Sequence, residues 1–152
     1  MSTAAITFTV YGKSQTKGST KSFISNRTGA IVTKNDNPLS AGWANRIGIE
    51  ANIAMRGRAV VTGAVGLDVR FYLQAPKKPK HPQHITKPDL DKLVRCAKDA
   101  LTGIVWRDDS QVVAVGAMKV YAGGQHDPEG VTGKIRAEII VRPATDADGG
   151  TS

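Results

Sequence analysis

Lys87-Pro88-Asp89-Leu90-Asp91-Lys92-Leu93-Val94-Arg95-Cys96-Ala97-Lys98-Asp99-Ala100-Leu101-Thr102-Gly103, followed by Trp106-Arg107-Asp108-Asp109, sets a helix among acids and cations. Leu90, Leu93, Val94, Ala97 and Leu101 recur at helical spacing and give one apolar face, with Asp91, Lys92, Arg95, Lys98 and Asp99 on the other. Pro88 keeps Lys87 out of the helical region, Asp89 is a favoured N-cap type, and Gly103 suits a left-handed stop after Thr102. Acids in a first turn also suit any helix dipole, and Asp91, Arg95 and Asp99 at i, i+4 spacing make an ordinary surface ladder. Two acids at a helix start and a third beyond its end, within a basic chain, point further, to a hard cation such as Mg²⁺ or Mn²⁺ held by oxygen.

Upstream lies Gln74 to Lys87, with three prolines and Lys77, Lys78, Lys80 and Lys87. Prolines forbid a regular helix there and the lysines resist burial, so the segment reads as an exposed basic arm beside the acids. Such an arm is placed to hold a nucleic-acid backbone without reading sequence. His81 and His84 lack the cysteines or third histidine of a zinc site and read as solvent-facing. Before the arm, Val65, Leu67, Val69, Phe71 and Leu73 alternate with Gly66, Asp68, Arg70 and Tyr72, the pattern of a strand with one buried face.

Further upstream, Ile6, Phe8 and Val10 mark another strand, and Tyr11 to Lys21 is a Gly-, Ser- and Thr-rich loop carrying Lys13 and Lys17. Gly12-Lys13-Ser14 resembles the end of a phosphate loop, but Thr7 stands where that pattern needs glycine, which excludes that class. Ser22 to Ser25 and Ala30 to Val32 flank a Gly29 turn as a hairpin. Ser40 is the expected cap of a helix whose stripe is Trp43, Ala44, Ile47, Ala51, Ala54 and Met55, closed by Gly57. Downstream, Ile104 to Trp106 is expected to begin a strand, Asp108 to Ser110 to turn, and Gln111 to Tyr121 and Ile135 to Val141 to be extended. Gly123 to Gly133, with His126 and Asp127, reads as a polar loop without an assigned role.

The 152 residues carry 21 Lys and Arg against 13 Asp and Glu, a formal charge of +8 that favours a polyanionic partner, nucleic acid first. No apolar run reaches membrane-spanning length, and the Met1 end lacks the regions of a signal peptide. A lone Cys96 excludes an intrachain disulfide and fits a reducing cytoplasm. With two Trp, three Tyr and three Phe, mostly on apolar faces, the chain is poorly equipped as a stacking single-strand binder.

Three separated blocks, Lys87-Pro88-Asp89-Leu90-Asp91-Lys92-Leu93, Lys98-Asp99-Ala100-Leu101-Thr102-Gly103 and Trp106-Arg107-Asp108-Asp109-Ser110-Gln111-Val112-Val113, resemble the signature of the RusA family of Holliday-junction resolvases. The resemblance implies a compact, single-domain α+β fold over residues 1–142, with a mixed sheet, two main helices and a homodimer, leaving 143–152 as a disordered tail. It implies Mg²⁺-dependent cutting of four-way DNA junctions in recombination and repair, with Mn²⁺ as a substitute. Asp89, Asp91 and Asp109 would hold the metal and Arg95 would offset charge on the phosphate. Lys13, Lys17, Lys77, Lys78, Lys80, Lys87, Lys92 and Lys98 would meet DNA. Asp99 would pair with Arg95, and Asp108 would lie behind Asp109 or in solvent. A bacterial, phage or prophage setting also follows from the family. Lys92 stands where the family has Asn, and Arg95 where it has Lys. Arg keeps the charge but not the point-like ammonium. These departures motivate one rival, a junction-binding module of the same fold without cleavage. A nucleotide-sugar transferase with an Asp-x-Asp site is the other, for which the chain is short and lacks a nucleotide-binding pattern.

Overall fold

The computed structural model describes residues 5–17, 20–35, 37–145 and 147–148. In chain order these form β1 (Ile6–Tyr11), β2 (Thr20–Ile24), β3 (Ile31–Asn35), α1 (Ser40–Ala54), β4 (Val65–Leu73), α2 (Leu90–Leu101), β5 (Val112–Tyr121) and β6 (Arg136–Pro143). A four-stranded sheet runs β1-β6-β4-β5, and β2 and β3 pair separately as the expected hairpin. β4 is parallel to β5 and antiparallel to β6, so the sheet is mixed.

Parallel neighbours need a connection that returns along the sheet, and α2 is that connection. The arm leaves the end of β4, α2 runs back, and Asp109 precedes the start of β5. This routing fixes which acids can meet.

Val65, Leu67, Val69, Phe71 and Leu73 are buried, as their alternation predicts, together with Ile6, Phe8 and Val10. Trp43, Ile47, Ala51 and Met55 of the α1 segment and Leu93, Cys96, Ala97 and Leu101 of α2 join the same core. Cys96 is a small core residue with a free thiol.

Several expectations are corrected. Leu39, not Ser40, is the N-cap of α1, and Asn37 organises the turn: its Oδ1 accepts from Leu39 N at 3.0 Å and its carbonyl accepts from Ser40 Oγ at 3.0 Å. Ile104 to Trp106 is a turn with isolated bridges rather than a strand, because buried Val105 and Trp106 pin it to the core. Tyr72 is buried although its neighbours in β4 place it on the outer face, since the Arg136 guanidinium lies 3.7 Å over its ring.

The segment beyond β6 is also tied where described. Arg142 donates to both Asp148 oxygens at 2.7 and 3.2 Å, and Thr145 N donates to Asp148 Oδ2. Thr145 and Asp148, in the segment expected to be a tail, make these contacts, while residues 146 and 149–152 lie outside the described residues.

Arg136 and Asp127 form the internal ion pair that the loop's composition concealed. Both are buried, and the guanidinium donates to the two carboxylate oxygens at 3.0 and 2.8 Å. Arg136 also donates to Glu138 and to the Lys134 carbonyl, while Asp127 accepts from Gly123 N and Glu129 N at 2.9 Å. These bonds, led by Arg136, hold the Asp127 carboxyl far below the usual carboxylate range.

Candidate active site

Asp89 has the extended backbone of an N-cap, and its carbonyl accepts the first helical bond from Leu93 N at 3.1 Å. Its carboxylate makes no cap bond. An Asp here ordinarily satisfies the first-turn amides; this one lies 3.6 Å from Lys92 Nζ instead. Asp91 follows in the first turn, exposed. Arg95, one turn further, is exposed as well.

The helix entrance is fastened from two sides. Lys17 N donates to the Lys92 carbonyl at 3.1 Å, bringing the basic loop after β1 against α2. From β5, Lys119 Nζ donates to the carbonyls of Thr86 at 2.7 Å and Pro88 at 3.0 Å. Sequence reading missed Lys119; its place in an alternating strand gave no signal, because its partners are carbonyls of a distant turn. The Lys87-Pro88 peptide is cis.

Asp109 is built by a different device. Trp106 is fully buried, with its indole N–H bonded to Thr102 Oγ1 at 3.0 Å. Gln111 accepts from the amides of Arg107 and Asp108 at 2.8 Å and donates to the carbonyls of Val61 and Gly63. Asp108 caps the short 3₁₀ turn over Asp109–Gln111, accepting from Ser110 N at 2.9 Å. That bond draws its pKa down. Its side chain is thus spent on the turn, and Asp109 is left exposed, 3.3 Å from Lys98 Nζ.

The three acids are not gathered. Lys98 lies seven residues beyond Asp91, about 10 Å along the helix axis at 1.5 Å per residue. Among the described residues no group of three or more His, Cys, Asp or Glu is placed to hold a metal ion. The donor chemistry suits a hard divalent cation, since all three offer exposed carboxylate oxygens. Asp89 and Asp91 stand at the helix entrance, while Asp109 is paired with Lys98 about two turns further along α2.

The cations fall into three groups. Lys13, Lys87 and Lys92 line one cleft with Asp89. Lys77, Lys78 and Lys80 stand exposed along the arm. Lys17 and Lys98 are engaged with acids: Lys17 Nζ is 3.4 Å from Asp99, so Asp99 pairs across the loop and not with Arg95 as expected. The reason is tertiary, because the Lys17–Lys92 backbone bond brings Lys17 to this helix face. His84, expected in solvent, is buried against Tyr121 with ring centroids 5.3 Å apart. Burial, assisted by the charge of Lys119, lowers its pKa.

A formal charge of +8, with Lys13, Lys87 and Lys92 gathered on one cleft and Lys77, Lys78 and Lys80 exposed beside it, fits a protein that handles polyanionic strands. The family model described as Endodeoxyribonuclease RusA matches residues 13–128, and the chain belongs to that family of Holliday-junction resolvases, nucleases that hydrolyse DNA. The chain is also similar to a Bacillus subtilis (strain 168) protein named "Uncharacterized protein YqaN", 31% identical over 149 residues that span 90% of this chain and 95% of that one. No helix among the described residues is long and apolar enough to cross a membrane.

Proposed function

We propose that this chain is a Mg²⁺-dependent endonuclease that resolves four-way DNA junctions by paired phosphodiester hydrolysis in recombination and repair, with Mn²⁺ able to substitute. The observation that carries the reading is Asp89, an N-cap residue whose carboxylate does not cap its helix, in a cleft with three lysines. Asp89, Asp91 and Asp109 are the acids that would hold the metal, whose chemistry is to polarise the scissile phosphate and acidify a bound water. Lys92 and Lys98 neutralise two of these acids by surface ion pairs, which contribute about 0–1 kcal/mol and so yield readily to a divalent cation. Arg95, exposed one turn beyond Asp91, offsets negative charge on the phosphate.

A homodimer suits a two-fold junction. It is supported by β5, an edge strand that exposes Val113, Val115 and Met118. A phage or prophage gene in a bacterial cytoplasm is the setting that fits the family.

The test is cleavage of a labelled synthetic four-way junction beside a linear duplex of the same sequence, with Mg²⁺ and with chelator. Paired, metal-dependent nicks on the junction alone are expected. The ion pair of Lys92 with Asp89 favours one second reading, a junction-binding module that does not cut. Tight junction binding without nicks in either metal would establish it.

The arm gives a separate expectation. Changing Lys77, Lys78 and Lys80 together to Ala should weaken DNA binding and reduce the slope of log K against log salt by about 0.9 for each lysine on a phosphate. An unchanged slope would remove the arm from the interface.

A further inference from the structure

The cleft beside Asp89 has a volume of about 770 Å³, within the range of small-molecule sites. Ser14 and His84 line it, only 4% and 8% exposed, yet among the described residues Ser14 Oγ and His84 Nδ1 have no partner at hydrogen-bond geometry. Buried polar atoms are nearly always paired, and an unpaired one is destabilising unless a ligand completes it. Two such atoms in one cleft make a site prepared for a polar group.

The kind of group follows from what surrounds them. Burial disfavours the charged form of His84, and Ser14 carries no charge, so the buried lining of the cleft offers neutral hydrogen-bonding atoms. Leu73 and Pro88 add apolar wall. Lys13 and Lys87, both exposed, bring positive charge to the same cleft. A bare phosphate would want its cations deep. A nucleotide has the opposite distribution, with a neutral polar heterocycle and an anionic backbone.

We propose that this cleft takes one unstacked nucleobase of the bound DNA strand, its polar edge on Ser14 and His84 and its adjoining phosphate on Lys13 and Lys87, next to Asp89. Drawing a base out of the stack at this point holds the neighbouring phosphate in register with the acids of α2. The base, once unstacked, offers partners to the two atoms that have none among the described residues. This rests on the chain's handling of a DNA strand, and on neither the junction preference nor the cation.

The test uses the full chain with chelator present, so that no strand is cut. Homotetramers of each of the four deoxynucleotides, an abasic tetramer and inorganic phosphate are titrated while the His84 imidazole resonances are followed by NMR. At least one tetranucleotide should shift His84, while the abasic tetramer should bind about tenfold more weakly and leave it unmoved. Ser14→Ala should weaken that tetranucleotide about three- to tenfold, the effect of one neutral hydrogen bond, without altering abasic binding. Equal His84 shifts with the abasic tetramer or inorganic phosphate would make the cleft a phosphate site and overturn the proposal. No shift with any tetranucleotide would overturn it as well. Junction cutting is scored separately: a protein that cuts with His84 silent loses only the base pocket, and one that responds without cutting loses only the proposed cleavage.

Discussion

Asp91→Asn is expected to lower junction cleavage about a thousandfold while leaving the fold and junction binding in place. The magnitude follows from removing one anionic ligand whose charge stabilisation is several kcal/mol, each 1.36 kcal/mol being a decade of rate. The selectivity follows from position. Asp91 is exposed in the first turn of α2 and no hydrogen bond or ion pair ties it to the rest of the described chain, so the isosteric amide disturbs only its favourable place near the helix N-terminus. Cleavage rates, urea denaturation and titration of a labelled four-way junction with chelator present read the three properties independently. Retained cleavage would remove Asp91 from the metal site; lost folding would make it structural. Asp109→Asn carries a sharper question, because Asp109 sits on Lys98 about two turns away. A loss as large as that of Asp91→Asn would place it on the same cation, and a loss under tenfold would leave Lys98 as its real partner.

Arg136→Met is expected to cost about 3–5 kcal/mol of folding stability, the usual consequence of leaving one member of a buried ion pair uncompensated. For a chain of this size that is a fall in Tm on the order of 10 °C. Methionine fills much of the volume but leaves the Asp127 carboxylate buried with only the amides of Gly123 and Glu129. It also uncovers the ring of Tyr72. The pH dependence has a definite sign. Asp127 has its carboxyl pKa depressed in the folded state, so its contribution is fully present above the unfolded value near 4 and disappears as pH falls below it. The wild type should therefore lose stability steeply below about pH 4, and the variant should lose much less over the same interval. Denaturation at pH 3, 4 and 6 checks both. Equal acid sensitivity in the two proteins would mean that other carboxylates set the acid limit.

The sequence by itself determined the elements and the chemistry they carry. Period-2 alternation in β4 and β1 and the helical stripe of α2 could be read directly, because local backbone geometry decides which side chains share a face. The two helices, the hairpin, the left-handed Gly103 with φ +90° and the family blocks from Lys87 to Val113 were legible for the same reason. Tertiary structure decided the pairings. Lys17 meets Asp99, Lys98 meets Asp109, and Lys119 binds the carbonyls of Thr86 and Pro88, each across segments whose spacing along the chain says nothing of their distance in space. His84 looked solvent-facing in a lysine- and proline-rich arm, yet the arm folds it against Tyr121. Asp127 looked idle in a polar loop until Arg136 closed on it. Burial and ion pairing are properties of the packed chain, and only the path from β4 through α2 to β5 fixes which lysine each acid meets.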